Sequence, residues 1–428
     1  MPERPGGRGR PVRPRATMKR TTAVLYSAIL LSTVLAATPS PAAAVSLQDH
    51  QWGPFEIEAG LDLTLAAGAG DTDPVNDGLL ADLDAFLDAE AITDDGLRYG
   101  ARFRLRAQRD NGRSGFADSV GDCTDAAAGC PVSGTILQRS IATGRHVSVS
   151  RPDEPGRVAL ESAHLYLRGG WGEVRAGLTP GAAAMEAIPA VTAMRSLALD
   201  GGRLDPGGHA AIRTVNDALG FGPRIAVQSQ RIVGFRLSAS FAAETEGCGV
   251  DICVRDRQAV SVPGTPVTAL AGNRLDNAAE LAVSFDHTFS RETRFEAALS
   301  VLTGEPSDPA APGGYTAVQA GVRVERDDWL FGASALDAET YTALTAGIAR
   351  DFGPWRVGVE AGLSDDSLIH ESQRAFQIGV SRLVGEHGLI GAALRREETG
   401  FALPGGPGQR LSGEREDVSL LIEAGLRY

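Results

Sequence analysis

The sequence predicts an all-β fold: a 16-stranded antiparallel transmembrane β-barrel with short turns at one end and long loops at the other. Three observations predict it. Apolar and polar residues alternate with a period of two along most of the chain, which in a strand sorts them onto opposite faces. The connections between these segments alternate between short and long, and the number of segments is even. Aromatic residues gather beside the short connections, where a barrel presents rings to the membrane interface. A secreted β-sandwich is the soluble competitor, and it has no reason to sort its connections by parity.

The first segment, near residues 55–65, sets Phe55, Ile57, Ala59, Leu61, Leu63 and Leu65 against Glu56, Glu58, Gly60, Asp62 and Thr64. The second sets Leu83, Ala85, Leu87, Ala89 and Ala91 against Asp82, Asp84, Phe86, Asp88 and Glu90. After the turn "TDDG" the third is the sharpest, with Leu97, Tyr99, Ala101, Phe103, Leu105 and Ala107 against Arg98, Gly100, Arg102, Arg104, Arg106 and Gln108. A helix would spread these arginines round its surface, whereas a strand puts them on one face. The same template places strands near 158–168, 173–179, 224–231, 235–243, 278–288, 294–302, 315–326, 329–336, 341–351, 355–364, 373–383, 388–396 and 416–428.

The last of these ends the chain on Tyr428. Val418, Leu420, Ile422, Ala424, Leu426 and Tyr428 form an apolar row, and Asp417, Ser419, Glu423, Gly425 and Arg427 a polar one, with only Leu421 out of place. A terminal strand frays unless both edges are paired. In a closed barrel it pairs with the first strand, its apolar row facing lipid and its polar row facing water. The short turns "TDDG", "GGWGE", "RIVG", "FSRET", "RDD", "FGP" and "VGEHG" alternate with long connections at 109–157, 179–223, 244–277, 303–314 and 397–415. The connection after Leu336 is short where a long one is expected. Trp52, Trp171, Trp329 and Trp355, together with Phe55, Phe235, Phe289, Phe352 and Tyr428, all fall at the N-terminus or at the short-turn end.

Composition is ordinary, with 43% hydrophobic and 22% charged residues. Residues 1–20 carry seven basic side chains against Glu3, an apolar run follows from Ala23 to Ala37, and Ala42 and Ala44 supply small residues for cleavage. Residues 1–44 are therefore expected to be an N-terminal extension and signal peptide, with Met18 as the natural start and 45–428 as the barrel. An uncleaved anchor is the alternative, but the run is short for a bilayer. Loss of seven positive charges and one negative takes the net charge from −13 to −19, which argues against nucleic acid as a partner.

In an exported chain, Cys123 with Cys130 and Cys248 with Cys253 are expected to close two small disulfide loops. Zinc is the competitor, and neither pair has the spacing or histidine neighbours it favours. Residues 71–78, "DTDPVNDG", have oxygens at calcium-like spacing without the distal glutamate, so a solvated loop is the preferred reading over a cofactor site. The sequence holds no HExxH, GxSxG or P-loop pattern, and the chain is not read as an enzyme.

The hairpin "DDGLRYGARFRLRAQ", the pair "ESAHLYLRGGWGEVRAGL", "GFRLSASF" after a short turn and the terminal "EAGLRY" together resemble the Gram-negative outer-membrane porins, particularly the alphaproteobacterial type. The resemblance spans essentially all of 45–428. It implies a homotrimer in outer-membrane lipid that passes small hydrophilic solutes, assembled through recognition of its C-terminal strand by barrel-assembly machinery. It also implies that the third long loop, residues 180–223, folds into the lumen.

An ion leaving bulk water needs charge along its path. Arg98, Arg102, Arg104 and Arg106 would line one wall, joined by Arg168, Arg175, Arg224 and Arg236 on the following strands. Glu186 with Asp200 or Asp205 on the loop would face them across the constriction. The competing account is structural. If residue 92 lies opposite 96, then Glu90, Asp84 and Asp82 face Arg98, Arg104 and Arg106, each pair stabilising the sheet by some tenths of a kcal/mol. Arg102 would then face Phe86 and lack a partner. A substrate-selective channel of the same fold, a barrel enzyme and an adhesin are the alternative functions. An enzyme would need a nucleophile beside His164, and the sequence offers no obvious one.

Overall fold

The computed structural model describes residues 55–70, 79–110, 140–143, 156–207, 210–246, 274–290, 293–307, 313–404 and 410–428. Residues 1–44, Trp52, the calcium-like stretch 71–78 and all four cysteines lie outside the described residues. The strands are β1 (Phe55–Gly70), β2 (Leu79–Ile92), β3 (Arg98–Arg109), β4 (Gly156–Gly169), β5 (Gly172–Pro180), β6 (Phe221–Ser229), β7 (Phe235–Glu246) and β8 (Arg274–Ser290). They continue as β9 (Thr293–Pro306), β10 (Tyr315–Arg326), β11 (Trp329–Ala338), β12 (Tyr341–Phe352), β13 (Trp355–Asp366), β14 (Glu371–Val384), β15 (Gly388–Pro404) and β16 (Arg410–Arg427). Each matches an expected strand, several running further toward the long-loop end: β16 begins at Arg410, where alternation is visible in the sequence only from 416.

Every strand pairs antiparallel with its sequence neighbours, and β1 pairs with β16, so the sheet closes into a barrel without an edge. The seam runs from Asp62 opposite Arg427 to Gly70 opposite Ser419. Tyr428 closes it, donating its N–H to the Leu61 carbonyl (2.8 Å) and accepting the Leu61 N–H (2.9 Å). The final residue thus has a backbone partner and does not fray.

Alternation sorts the side chains as the period-two pattern requires. Leu87, Phe103, Leu165, Leu237, Leu281, Leu344, Ile378 and Leu420 are exposed on the outer face, while Asp84, Ser162, Ser238, Ser300, Gln319, Thr345, Gln377 and Glu423 are buried on the inner one. In water the outer face would be an unsustainable apolar surface; in a bilayer it is the solvated one. Leu421, the residue that breaks the last strand's pattern, points inward and packs with Met194, Leu197 and Leu204.

The short-turn end carries the aromatic girdle. Phe55 meets Tyr99 edge-on (5.9 Å between centroids), Phe235 packs on Phe285 (4.7 Å), Trp329 stacks with Phe331 (6.1 Å) and His387 with Tyr428 (5.2 Å). The turn at 93–97 corrects the hairpin register. Thr93 accepts the Gly96 N–H (2.9 Å) and donates its own to the Leu97 carbonyl (2.9 Å), with Gly96 at φ 83°. This longer turn sets Ile92 opposite Arg98, a shift of two residues from the expected pairing. An even shift keeps every side chain on its face.

Candidate functional site: the lumen and its inserted loop

The lumen is built from the inward rows and from residues 181–220, which join β5 to β6. The segment opens with one turn of helix, α1 (Ala182–Glu186), and then runs as irregular chain across the inner wall. Irregular backbone at this depth must find acceptors on the protein. The strands supply them. Glu423 of β16 accepts the N–H groups of Arg195 (2.6 Å), Ser196 (2.8 Å) and Leu197 (3.2 Å). Glu360 of β13 takes the Thr192 hydroxyl (2.7 Å) and the Leu199 N–H (3.2 Å). Gln373 of β14 accepts the Ala211 N–H (2.7 Å), and the Tyr341 hydroxyl of β12 bridges the Ala211 carbonyl (2.7 Å) and the Arg213 N–H (2.8 Å). Inward glycines let the loop lie flat: a Cβ on Gly321 would come within 2.2 Å of the Ile188 carbonyl oxygen, and one on Gly347 within 1.9 Å of the Val191 carbonyl oxygen.

The three loop acids named from sequence do not face the arginines. Glu186 turns to β6–β8, accepting from Gln228 (2.6 Å), Ser238 (2.6 Å) and Ser284. Asp200 is buried and takes the Thr214 N–H (2.7 Å), the Thr214 hydroxyl and the Thr345 hydroxyl (3.0 Å); burial pushes its carboxyl above the usual range in spite of these donors. Asp205, also buried, accepts the Ala210 N–H (2.7 Å) and donates its own N–H to Asp110 (3.0 Å). A chain crossing a lumen has many unpaired amides, and these carboxylates are spent on satisfying them and their neighbours.

The arginines of β3 do share one inward face, with their acids beside them. Arg98 pairs with Glu90 (2.9 Å), Arg104 with Asp84 (Nε to Oδ1 2.7 Å) and Arg106 with Asp82 (2.7 Å), the partners expected, now reached diagonally. Arg102 is the correction: it lies opposite Asp88, not Phe86, and binds that carboxylate through Nε (2.9 Å) and a second nitrogen. Next along the wall, Arg168 donates to Glu173 (2.6 Å), which Arg175 also contacts. Arg224 is buried on Glu280 (2.9 Å) beneath α1 and does not line open space. Sequence reading did not foresee Glu161, placed inward by a bulge in β4, 3.3 Å from Arg104 and 3.5 Å from Arg106. Nor did it single out Tyr166, whose hydroxyl reaches Asp88 (2.8 Å) and Glu90 (3.2 Å) over Gly100. Arg203 of the loop adds a further cation, 3.3 Å from both Asp82 and Asp84.

Three of the pairs are asymmetric in exposure, while Arg106 and Asp82 are buried alike. Arg102 is 42% exposed against 8% for Asp88, Arg104 34% against 5% for Asp84, and Arg168 42% against 7% for Glu173. The guanidinium is outermost in each. On the opposite wall the inward residues of β10–β15, among them Gln319, Thr345, Gln377 and Arg395, are buried beneath the loop.

His164 has Ser162 Oγ 2.9 Å from its Nδ1, a neighbour hidden from a sequence search for nucleophiles. Ser162 Oγ also lies 3.1 Å from the Leu178 carbonyl, so its single proton serves either that carbonyl or Nδ1, according to the imidazole tautomer.

Comparison with known proteins agrees with this architecture. The family model described as Gram-negative porin matches residues 31–400. Among solved structures, OmpF of Salmonella typhi in complex with daunomycin is 8% identical with a TM-score of 0.53, covering 89% of this chain and 100% of its own. The anion-selective porin from Comamonas acidovorans is 10% identical (TM-score 0.49; 87% and 100% covered), and OmpT of Vibrio cholerae 11% identical (0.48; 89% and 99%). No curated protein matches the chain. With a family match over most of its length, a closed 16-stranded barrel and an apolar outer face, the chain is an outer-membrane protein and belongs to the Gram-negative porin family.

Proposed function

We propose that the protein is a passive diffusion pore for small hydrophilic solutes and ions, in which the arginine face of β3–β5 sets a preference for anions. The observation that carries this is the depth asymmetry of the ion pairs: a passing solute meets guanidinium groups, while their counter-charges sit lower in the wall. Pairing makes each site formally neutral, yet the nearer charge dominates the potential at the pore surface. The inserted loop supports the same reading, since it buries the inward residues of β10–β15 while Arg102, Arg104 and Arg168 stay part-exposed, with Arg203 of the loop adding a cation at their wall. The loop acids Glu186, Asp200 and Asp205 are buried and bonded to groups other than these arginines. We further read the pore as a trimer of the alphaproteobacterial type, assembled through recognition of its aromatic-ended last strand.

The test is the reversal potential of single channels in a potassium chloride gradient. The wild type is expected to favour chloride. Arg102→Ala and Arg104→Ala each remove an outermost cation and uncover a carboxylate, and should shift the chloride/potassium permeability ratio about threefold toward potassium. A silent bilayer, or a ratio unmoved in both variants, would remove the arginine face from the account.

A further inference from the structure

At the short-turn end, the outward row of β10–β14 alternates arginine with tryptophan. Arg326 lies opposite Trp329, which lies opposite Arg350; Phe352 lies opposite Trp355, which lies opposite Arg382. The Arg350 guanidinium sits 5.1 Å from the centre of the Trp329 ring and 4.6 Å from that of Phe352, and the Arg382 guanidinium 5.0 Å from that of Trp355. Of the carboxylates nearby, Glu325 and Asp351 face inward, Asp351 bound to Arg356, while Asp327 and Asp328 stand exposed in the turn between β10 and β11. Among the described residues no carboxylate lies within 4 Å of the guanidinium of Arg326, Arg350 or Arg382, and Nε of Arg350 is buried with no hydrogen-bond partner. A guanidinium on a lipid-facing surface, with aromatic rings displacing its water, has unmet donors in a fork that suits phosphate. Its level is that of the membrane interface, where aromatic rings collect and phosphate is the available anion.

We propose that Arg350 with Trp329 and Phe352, and Arg382 with Trp355, form a binding surface for the phosphate of anionic phospholipid in the periplasmic leaflet. Arg350 and Arg382 stand two strands and two residues apart, roughly 12 Å in the sheet, so each takes its own headgroup. At this level the outer face of the strands carries only cations, because the strand acids here, Glu325 and Asp351, point into the lumen, while Asp337 and Asp365 lie outward at the opposite end. Such a site fixes the barrel's depth and rotation in the bilayer and is independent of what passes through it.

Bromine-labelled lipids test this directly, since Trp329 and Trp355 belong to the surface and are quenched by bromine in contact with them. The refolded protein is placed in phosphatidylcholine vesicles containing a low fraction of brominated phosphatidylglycerol or brominated phosphatidylcholine. The brominated glycerol lipid should quench at an about fivefold lower fraction, with the difference shrinking in high salt. Arg350→Gln with Arg382→Gln should make the two lipids equivalent, while Arg350→Lys with Arg382→Lys retains most of the difference; single-channel conductance, unchanged in both, shows that the barrel has folded. Equal quenching by the two lipids in the wild type, a preference that survives the Gln pair, or tryptophans shielded from both lipids by a second copy of the chain would each overturn the proposal.

Discussion

Asp200 shows how the loop uses charge. Its carboxyl is buried among Thr214 and Thr345, and burial raises its pKa although three donors point at it. A carboxyl raised in the folded state binds its proton more tightly there than in the unfolded chain. Its contribution is therefore whole below the unfolded value of about 3.9, and it falls as pH rises from there through the folded value. Asp200→Asn keeps the acceptor for the Thr214 N–H and removes the titration. The Asn variant should match the wild type in unfolding midpoint at pH 4 and exceed it at pH 8, measured in one detergent. A gap that does not widen with pH would mean that the carboxylate is better solvated than its burial implies. Arg102 teaches a different lesson at the same scale. Its facing was legible from alternation alone, but its partner was not, because a turn longer by two residues changes who lies opposite while leaving every face intact.

Among the elements, strands were legible and the inserted loop was not. Sixteen stripes with alternating connections determine a barrel, and the extra residues at the strand tops were missed where alternation fades, as in β16 between Arg410 and Glu416. The loop's course depends on backbone N–H groups meeting carboxylates far away in sequence, Glu423 and Glu360 above all, and no local pattern encodes such a bond. One signal was present: inward positions of β10–β14 carry Gly321, Gly332, Gly347, Gly358 and Gly379, a stripe with no side chains to line a lumen, and the loop backbone rests there. Leu421 gave the other, an apolar residue in a polar row. Glu423→Gln replaces an acceptor oxygen with a donor facing backbone N–H groups, at a cost of about 1–3 kcal/mol. The loop should loosen at that end. Single-channel recordings should then show a larger and noisier conductance than the wild type, whereas an unchanged trace would mean that the loop is held mainly by the apolar contacts of its Leu197 and Leu204 with Leu80 and Leu421.

For the molecule as a whole, the two environments of one sheet account for what the composition could not. The outer face is solvated by lipid and bordered by rings, the inner face by water and by a loop whose backbone N–H groups are met in part by acceptors on the wall. Along β3 and β4, Arg102, Arg104 and Arg168 are more exposed than the carboxylates they pair with. Fold and location therefore follow from a period of two, while the anion preference proposed above rests on which member of each ion pair is the more exposed, below anything that alternation can encode. The most direct check of the central claim places a single thiol on each face, Arg102→Cys in the lumen and Leu165→Cys on the lipid side, and follows the current of open channels as a charged, membrane-impermeant thiol reagent is added. Current through the Arg102→Cys channel should fall in discrete steps while that through the Leu165→Cys channel stays constant. Reaction at Leu165→Cys with none at Arg102→Cys would turn the barrel inside out and contradict the account.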